Sequence, residues 1–99
     1  MDFDFNEDKN KELKKKRNVS FEEIIILLQE RKLISVIEHP QKEKYKNQKI
    51  FIVDVDGYAY LVPFIIDKIR QVIFLKIIFP SRKFTKIYIK ELKGKKNDK

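Results

Sequence analysis

Ile50-Phe51-Ile52-Val53-Asp54-Val55-Asp56-Gly57-Tyr58-Ala59-Tyr60-Leu61-Val62-Pro63-Phe64-Ile65-Ile66 reads as two strands about a two-residue turn. β-Branched and aromatic residues dominate both arms. Asp56-Gly57 marks a hairpin, because glycine accepts the positive φ that the primed turns demand. The arms are assigned to 50–55, with Lys49 at the start, and 58–66. Pro63 lacks a ladder donor and is expected near a strand end or on a sheet edge.

Downstream, Asp67-Lys68-Ile69-Arg70 is a charged connection into a further strand over 72–79. Alternation there places Val72, Phe74, Lys76 and Ile78 on one face, with Lys76 interrupting an apolar row. A helix then runs over about 81–92, opened by Pro80 or by Ser81 as cap. Phe84, Ile87 and Tyr88 stand three and four apart and are expected to pack inward. Gly94 and a Lys-rich tail end it, and 93–99 is expected to be disordered.

Upstream, Leu33-Ile34-Ser35-Val36-Ile37 reads as a strand closed by His39-Pro40, since the residue before proline is pushed out of helical geometry. The loop from Gln41 to Gln48 carries Lys42, Lys44, Tyr45 and Lys46. Ser20-Phe21-Glu22-Glu23 forms a capping box ahead of a helix reaching about Arg31, whose apolar face includes Phe21, Ile24, Ile25 and Leu28. Residues 7–17 form a polar helix anchored through Phe3, Phe5 and Leu13. The order is α-α-β-β-β-β-α. It describes one α+β domain over 1–99, a four-stranded antiparallel sheet with two N-terminal helices and one C-terminal helix and no parallel crossover.

Composition narrows the chemistry. The 99 residues suffice for one modest core. A hydrophobic share of 42% supports folding, while a charged share of 38% and a net charge of +8 favour a surface that meets polyanions, nucleic acid first. Cysteine is absent and His39 is the single histidine, which removes thiol chemistry and leaves no Cys- or His-based metal site; no cofactor is called for. The acidic start (Asp2, Asp4, Glu7, Asp8) is unlike a secretory signal, and no apolar run approaches the ~20 residues that span a bilayer. A cytoplasmic protein without membrane contact is the expectation.

Ile78-Phe79-Pro80-Ser81-Arg82-Lys83 turns an apolar strand into a helix whose first residues carry a hydroxyl and two cations. Free N–H groups there attract anions. A cation at that end of a helix is disfavoured by about 0.3–1 kcal/mol unless an anion joins it or water screens it. Arg82 is therefore read as a phosphate contact, with solvation of its side chain as the alternative.

Asp8-Lys9, Asn18-Val19-Ser20-Phe21-Glu22-Glu23 and Ile78-Phe79-Pro80-Ser81-Arg82-Lys83-Phe84-Thr85 together resemble the BrnT family of toxins, whose fold is similar to the RelE-type ribonucleases. That resemblance implies metal-independent cleavage of messenger RNA, with or without the ribosome, by the toxin of a type II toxin–antitoxin pair. It also implies neutralisation by a cognate antitoxin, a small ribbon-helix-helix DNA-binding protein. Lys49 stands where the family has Arg, which keeps the charge but loses the bidentate fork.

Such cleavage needs a base for the 2′-hydroxyl, an acid for the leaving oxygen and cations for the extra phosphate charge. The candidates are Arg82, Lys49, Lys76 and His39 for catalysis. Ser81, Lys83, Lys46, Lys86 and Tyr88 are the candidates for RNA contact. Lys49 and Lys76 are expected together on the open face of the sheet. His39 is either a proton carrier on the rim or a strand terminator. Tyr88 is read as core with an accessible hydroxyl, and Tyr45 either stacks on a base or packs on its own loop. The alternative function is a non-catalytic basic RNA-binding module, or a degenerate toxin acting through protein partners.

Overall fold

Asp56 and Gly57 both take positive φ, 53° and 84°, so the central hairpin closes through the primed turn that its sequence demands. Asp54 Oδ1 accepts the Gly57 N–H at 2.7 Å and braces it. The computed structural model describes residues 2–90, the Lys90 side chain excepted. The tail and the end of the last helix expected at Leu92 lie outside them. The elements are β1 (Asp2–Phe5), α1 (Glu7–Arg17), α2 (Phe21–Gln29), β2 (Leu33–Glu38), β3 (Gln48–Val55), β4 (Tyr58–Asp67), β5 (Val72–Leu75), β6 (Phe79–Pro80) and α3 (Arg82–Phe84), the last continuing as a π-helical segment, Thr85–Lys90.

β3 and β4 pair antiparallel from Gln48↔Ile65 to Val55↔Tyr58. The sheet order is β1-β5-β4-β3-β2, with β6 paired to β4 as well. The class is α+β, but the sheet is mixed rather than four-stranded and antiparallel. Phe3 and Phe5 belong to β1, which pairs parallel with β5 from Asp2↔Val72 to Phe5↔Leu75. Asp2-Phe3-Asp4-Phe5 alternates, but two periods rich in aspartate, a residue depleted in strands, do not by themselves announce a strand.

The single strand expected over 72–79 is two. β5 ends at Leu75, and the chain rejoins β4 only at Phe79 and Pro80. The break resets the alternation: Ile78 is buried with Leu75 in the core on the α1–α2 side, not in a row with Phe74 and Lys76. It also explains Pro63, which sits in the middle of β4 and is buried. Its carbonyl accepts the Lys76 N–H at 2.8 Å, so the missing donor points to the side where β5 has already left the ladder.

α1 begins at Asn6, whose side chain accepts the Lys9 N–H, and ends at Asn18 in the left-handed region (φ 56°), which asparagine tolerates. Acidic Glu7 and Asp8 in its first turn and Lys14 to Arg17 in its last match the helix dipole. α2 is capped by Ser20, whose Oγ accepts the Glu23 N–H at 3.1 Å. These helices cover one face of the sheet: Leu13, Phe21 and Ile24 pack on Phe51, Val53 and Phe64, and the Phe5 and Phe21 rings stack at 5.0 Å. The C-terminal helical run covers part of the other face, burying Ile89 against Ile50, Ile52, Ala59 and Leu61 with Phe84 and Tyr88 alongside. Ile87, expected inward, is 42% exposed. The wider π-helical turn brings residues four and five after Phe84 onto its face, so Tyr88 and Ile89 take the inward positions.

Two buried polar side chains fix where the helices dock. Asn10 is 1% exposed; its Oδ1 accepts the Phe21 N–H and its Nδ2 donates to Glu22 Oε1, both at 2.8 Å. Thr85 is 2% exposed; its Oγ1 donates to the Ser81 carbonyl at 2.7 Å and accepts the Ala59 N–H at 2.8 Å. Removing either leaves a buried N–H without an acceptor. Asn10→Ala and Thr85→Val are each expected to lower unfolding free energy by about 1–3 kcal/mol in urea titrations.

Exposed carboxylates set the acid limb of stability. Hydrogen bonding from Arg70 holds Asp4 below its ordinary value, with help from the Phe5 N–H and the Arg70 charge. The amide of Asn10 does the same for Glu22, and Lys42 for Glu38. Each group binds its proton more weakly folded than unfolded. Its contribution is complete above the ordinary carboxylate range and disappears as pH falls through the lowered folded values. Melting temperature is therefore expected to hold through mildly acidic pH and drop below it, and Asp4→Asn should shrink the drop in thermal melts against pH.

Candidate functional site

Antiparallel pairing brings the start of β3 and the end of β4 to one end of the sheet, through Gln48↔Ile65. The loop between β2 and β3 and the turn between β4 and β5 therefore meet there. The C-terminal helical run is anchored at the other end, through Ala59, and reaches Ile50 only with Ile89, so the second face of the sheet opens into a hollow beside Ile50, Pro63, Phe74 and Lys76.

That hollow is an open cleft of about 960 Å³. Ile50, Leu61, Pro63, Phe74 and Phe79 make its apolar floor. His39 and Tyr45 stand on one rim, and Lys76 with Asp8, Lys9 and Glu12 of α1 line the rest. The two lysines are balanced by the two carboxylates, and Lys9 lies 3.8 Å from Glu12. His39 Nδ1 accepts the Gln41 N–H at 3.1 Å, which leaves the ring proton on Nε2. The His39 and Tyr45 rings meet at 4.2 Å, tilted by 33°, and Lys44 Nζ sits 5.4 Å from the Tyr45 ring centre.

A second groove, of about 630 Å³, lies on the other side of Tyr45. Lys42, Lys46, Lys49 and Lys68 line it against two carboxylates, Glu38 and Asp67. Lys42 pairs with Glu38, whose carboxyl is held low chiefly by that hydrogen bond and also by the Lys42 and Lys49 charges. Asp67 Oδ1 accepts the N–H groups of Ile69 and Arg70 at 3.1 and 3.0 Å, pinning a turn whose tip presents Ile69 at 95% exposure. This groove has the positive excess that the cleft lacks.

The expected catalytic array is not assembled in one place. His39 and Lys76 share the cleft, while Lys49 and Lys46 line the groove. Lys49 pairs with Phe64, and Lys76 bonds to Pro63, which pairs with Ile50; neighbouring positions of a strand point to opposite faces, so the two lysines do too. Arg82, Lys83 and Lys86 are exposed on the C-terminal helical run and line neither hollow. The Ser81 hydroxyl is taken by the Phe84 N–H at 3.1 Å, Lys83 lies over the Phe84 ring at 5.7 Å, and Tyr88 stacks on Phe84 in the core. Lys42 and Lys68 enter the site without having been singled out. Only the meeting of two loops joins them, and no spacing within one element signals that.

Among the described residues no group of three or more His, Asp or Glu side chains stands close enough to hold a metal ion, and no helix is long and apolar enough to cross a membrane. No family model, curated protein or solved structure matches the chain.

Tyr45, which lines both hollows and is braced by His39 on the cleft side, divides cleft from groove. Tyr45→Ala is expected to merge them and to increase hydrogen exchange across 39–48, read by mass spectrometry.

Proposed function

We propose that this protein binds single-stranded RNA along the basic groove, with the phosphate backbone following Lys42, Lys46, Lys49 and Lys68 and a base reaching Tyr45. The convergence of Lys42 and Lys46 from the β2–β3 loop, Lys49 from the start of β3 and Lys68 from the β4–β5 turn beside an aromatic ring is the observation that supports this reading. A base on Tyr45 displaces Lys44, an exposed cation–π contact worth about 0.5–1 kcal/mol. Base stacking, at about 1–3 kcal/mol, outweighs it. The BrnT resemblance adds a biological setting: a toxin-like protein of the cytoplasm held by a ribbon-helix-helix antitoxin.

Fluorescence anisotropy with a labelled single-stranded RNA tests it. Affinity should fall with salt, and Lys46→Ala, Lys49→Ala and Lys68→Ala should each flatten the log–log slope by about 0.7. Tyr45→Ala should weaken binding by about 1–3 kcal/mol with the slope kept. Arg82→Ala, outside both hollows, should alter binding less than any groove lysine. Absence of binding at low salt, or a slope unchanged in the triple lysine variant, would overturn the reading.

A second reading is cleavage, and it rests on His39 and Lys76 sharing the cleft next to the groove. There the 2′-oxygen attacks the adjacent phosphorus, a proton passes to a base, and the 5′-oxygen leaves protonated, giving a 2′,3′-cyclic phosphate. In this reading His39 transfers the proton and Lys76 offsets the developing charge. Pure protein incubated with RNA should then give cyclic-phosphate ends, reduced about 10²-fold or more in His39→Ala. Intact RNA with the unaltered chain would remove this reading and leave the first standing.

A further inference from the structure

The sheet has two outer strands with different protection. β1 is four residues long and carries Asp2 and Asp4, charges that discourage edge pairing. β2 runs Leu33-Ile34-Ser35-Val36-Ile37 with neither charge nor proline before Glu38. Its pairing with β3 is irregular between Leu33 and Ser35 and regular from Ser35↔Ile52 to Glu38↔Lys49. Because the His39 N–H donates to the Gln48 carbonyl, alternation turns Ile37 and Ser35 toward β3 and leaves the N–H and C=O of Val36 and Glu38 facing outward. Beside these groups, which pair with no other element among the described residues, Leu33 and Val36 are 38% and 45% exposed.

Charge selects the occupant. Arg31 and Lys32 precede the strand, and Lys42 and Lys49 crowd Glu38 at its far end. A second copy would bring the same cations and its own +8 to that edge. A segment with apolar residues in the middle and carboxylates at both ends suits it instead.

We propose that β2 accepts an extended, acid-ended segment of a protein partner as an added outer strand, held by the outward backbone groups of Val36 and Glu38. The geometry is strand addition, in which main-chain hydrogen bonds supply affinity and side chains on alternate positions supply selection. This does not rest on RNA binding, although Lys42 and Lys49 border both surfaces and an RNA in the groove would compete for the charge at that end of β2.

The probe is a labelled synthetic peptide alternating valine and threonine, with paired glutamates at each end. Anisotropy should show saturable binding, about tenfold weaker when the glutamates become lysines. Val36→Pro removes an outward N–H and no hydrogen bond to β3, so it should keep the far-ultraviolet circular dichroism and lose peptide binding by at least about tenfold. In the unaltered chain, saturating peptide should slow exchange of the Val36 and Glu38 amides, a readout that holds even if the proline variant misfolds. No binding, equal binding by the folded proline variant, or protection confined to other segments would overturn the proposal. So would a concentration-dependent dimer in sedimentation that the proline variant abolishes, which would give the edge to a second copy.

Discussion

β3 is apolar on both faces: Phe51, Val53 and Val55 point one way, Ile50 and Ile52 the other, and all five are buried. Leaving either row in water would forfeit about 1.5–3 kcal/mol for each large side chain. A strand of this kind has to be covered twice. α1 and α2 supply one cover and the C-terminal helical run the other, so the layering follows from one strand. The second cover is short, and the part of the face it does not reach is the cleft.

Hydrophobic burial alone does not say where a helix stops sliding, because it is not directional. Asn10 and Thr85 supply direction. Each satisfies a buried N–H of another element, and each is short enough to demand one position. The exposed ion pairs contribute less, since the pairs around Lys9, Lys14 and Lys42 stand in water and pairs of that kind are worth about 0–1 kcal/mol. The polar staples thus position the helices, and the surface charge is left free for other work.

That work is local. A net charge of +8 is spread over the chain, yet the cleft is balanced and the groove is not. The difference arises because the β2–β3 loop and the β4–β5 turn share one end of the sheet and both carry lysine. Tyr45 lines both hollows with His39 tilted against it on the cleft side, so any ligand crossing from one to the other passes over the tyrosine ring.

The amino-acid sequence by itself determined the hairpin turn, the extents of α1 and β4 to within a residue, the capping of α2 and the α+β class, because each depends on residues near one another in the chain. Tertiary structure decided the rest. Phe3 and Phe5 became a strand only because β5 offered them a parallel neighbour, and Pro63 could lie mid-strand only because β5 had already turned away. Lys49 and Lys76 fell on opposite faces through the ladder register, and Arg82 stayed apart because the end of the sheet that gathers lysines is not the end where its helix is anchored. Which side chains converge depends on contacts between distant segments, and periodicity within a segment carries no information about those.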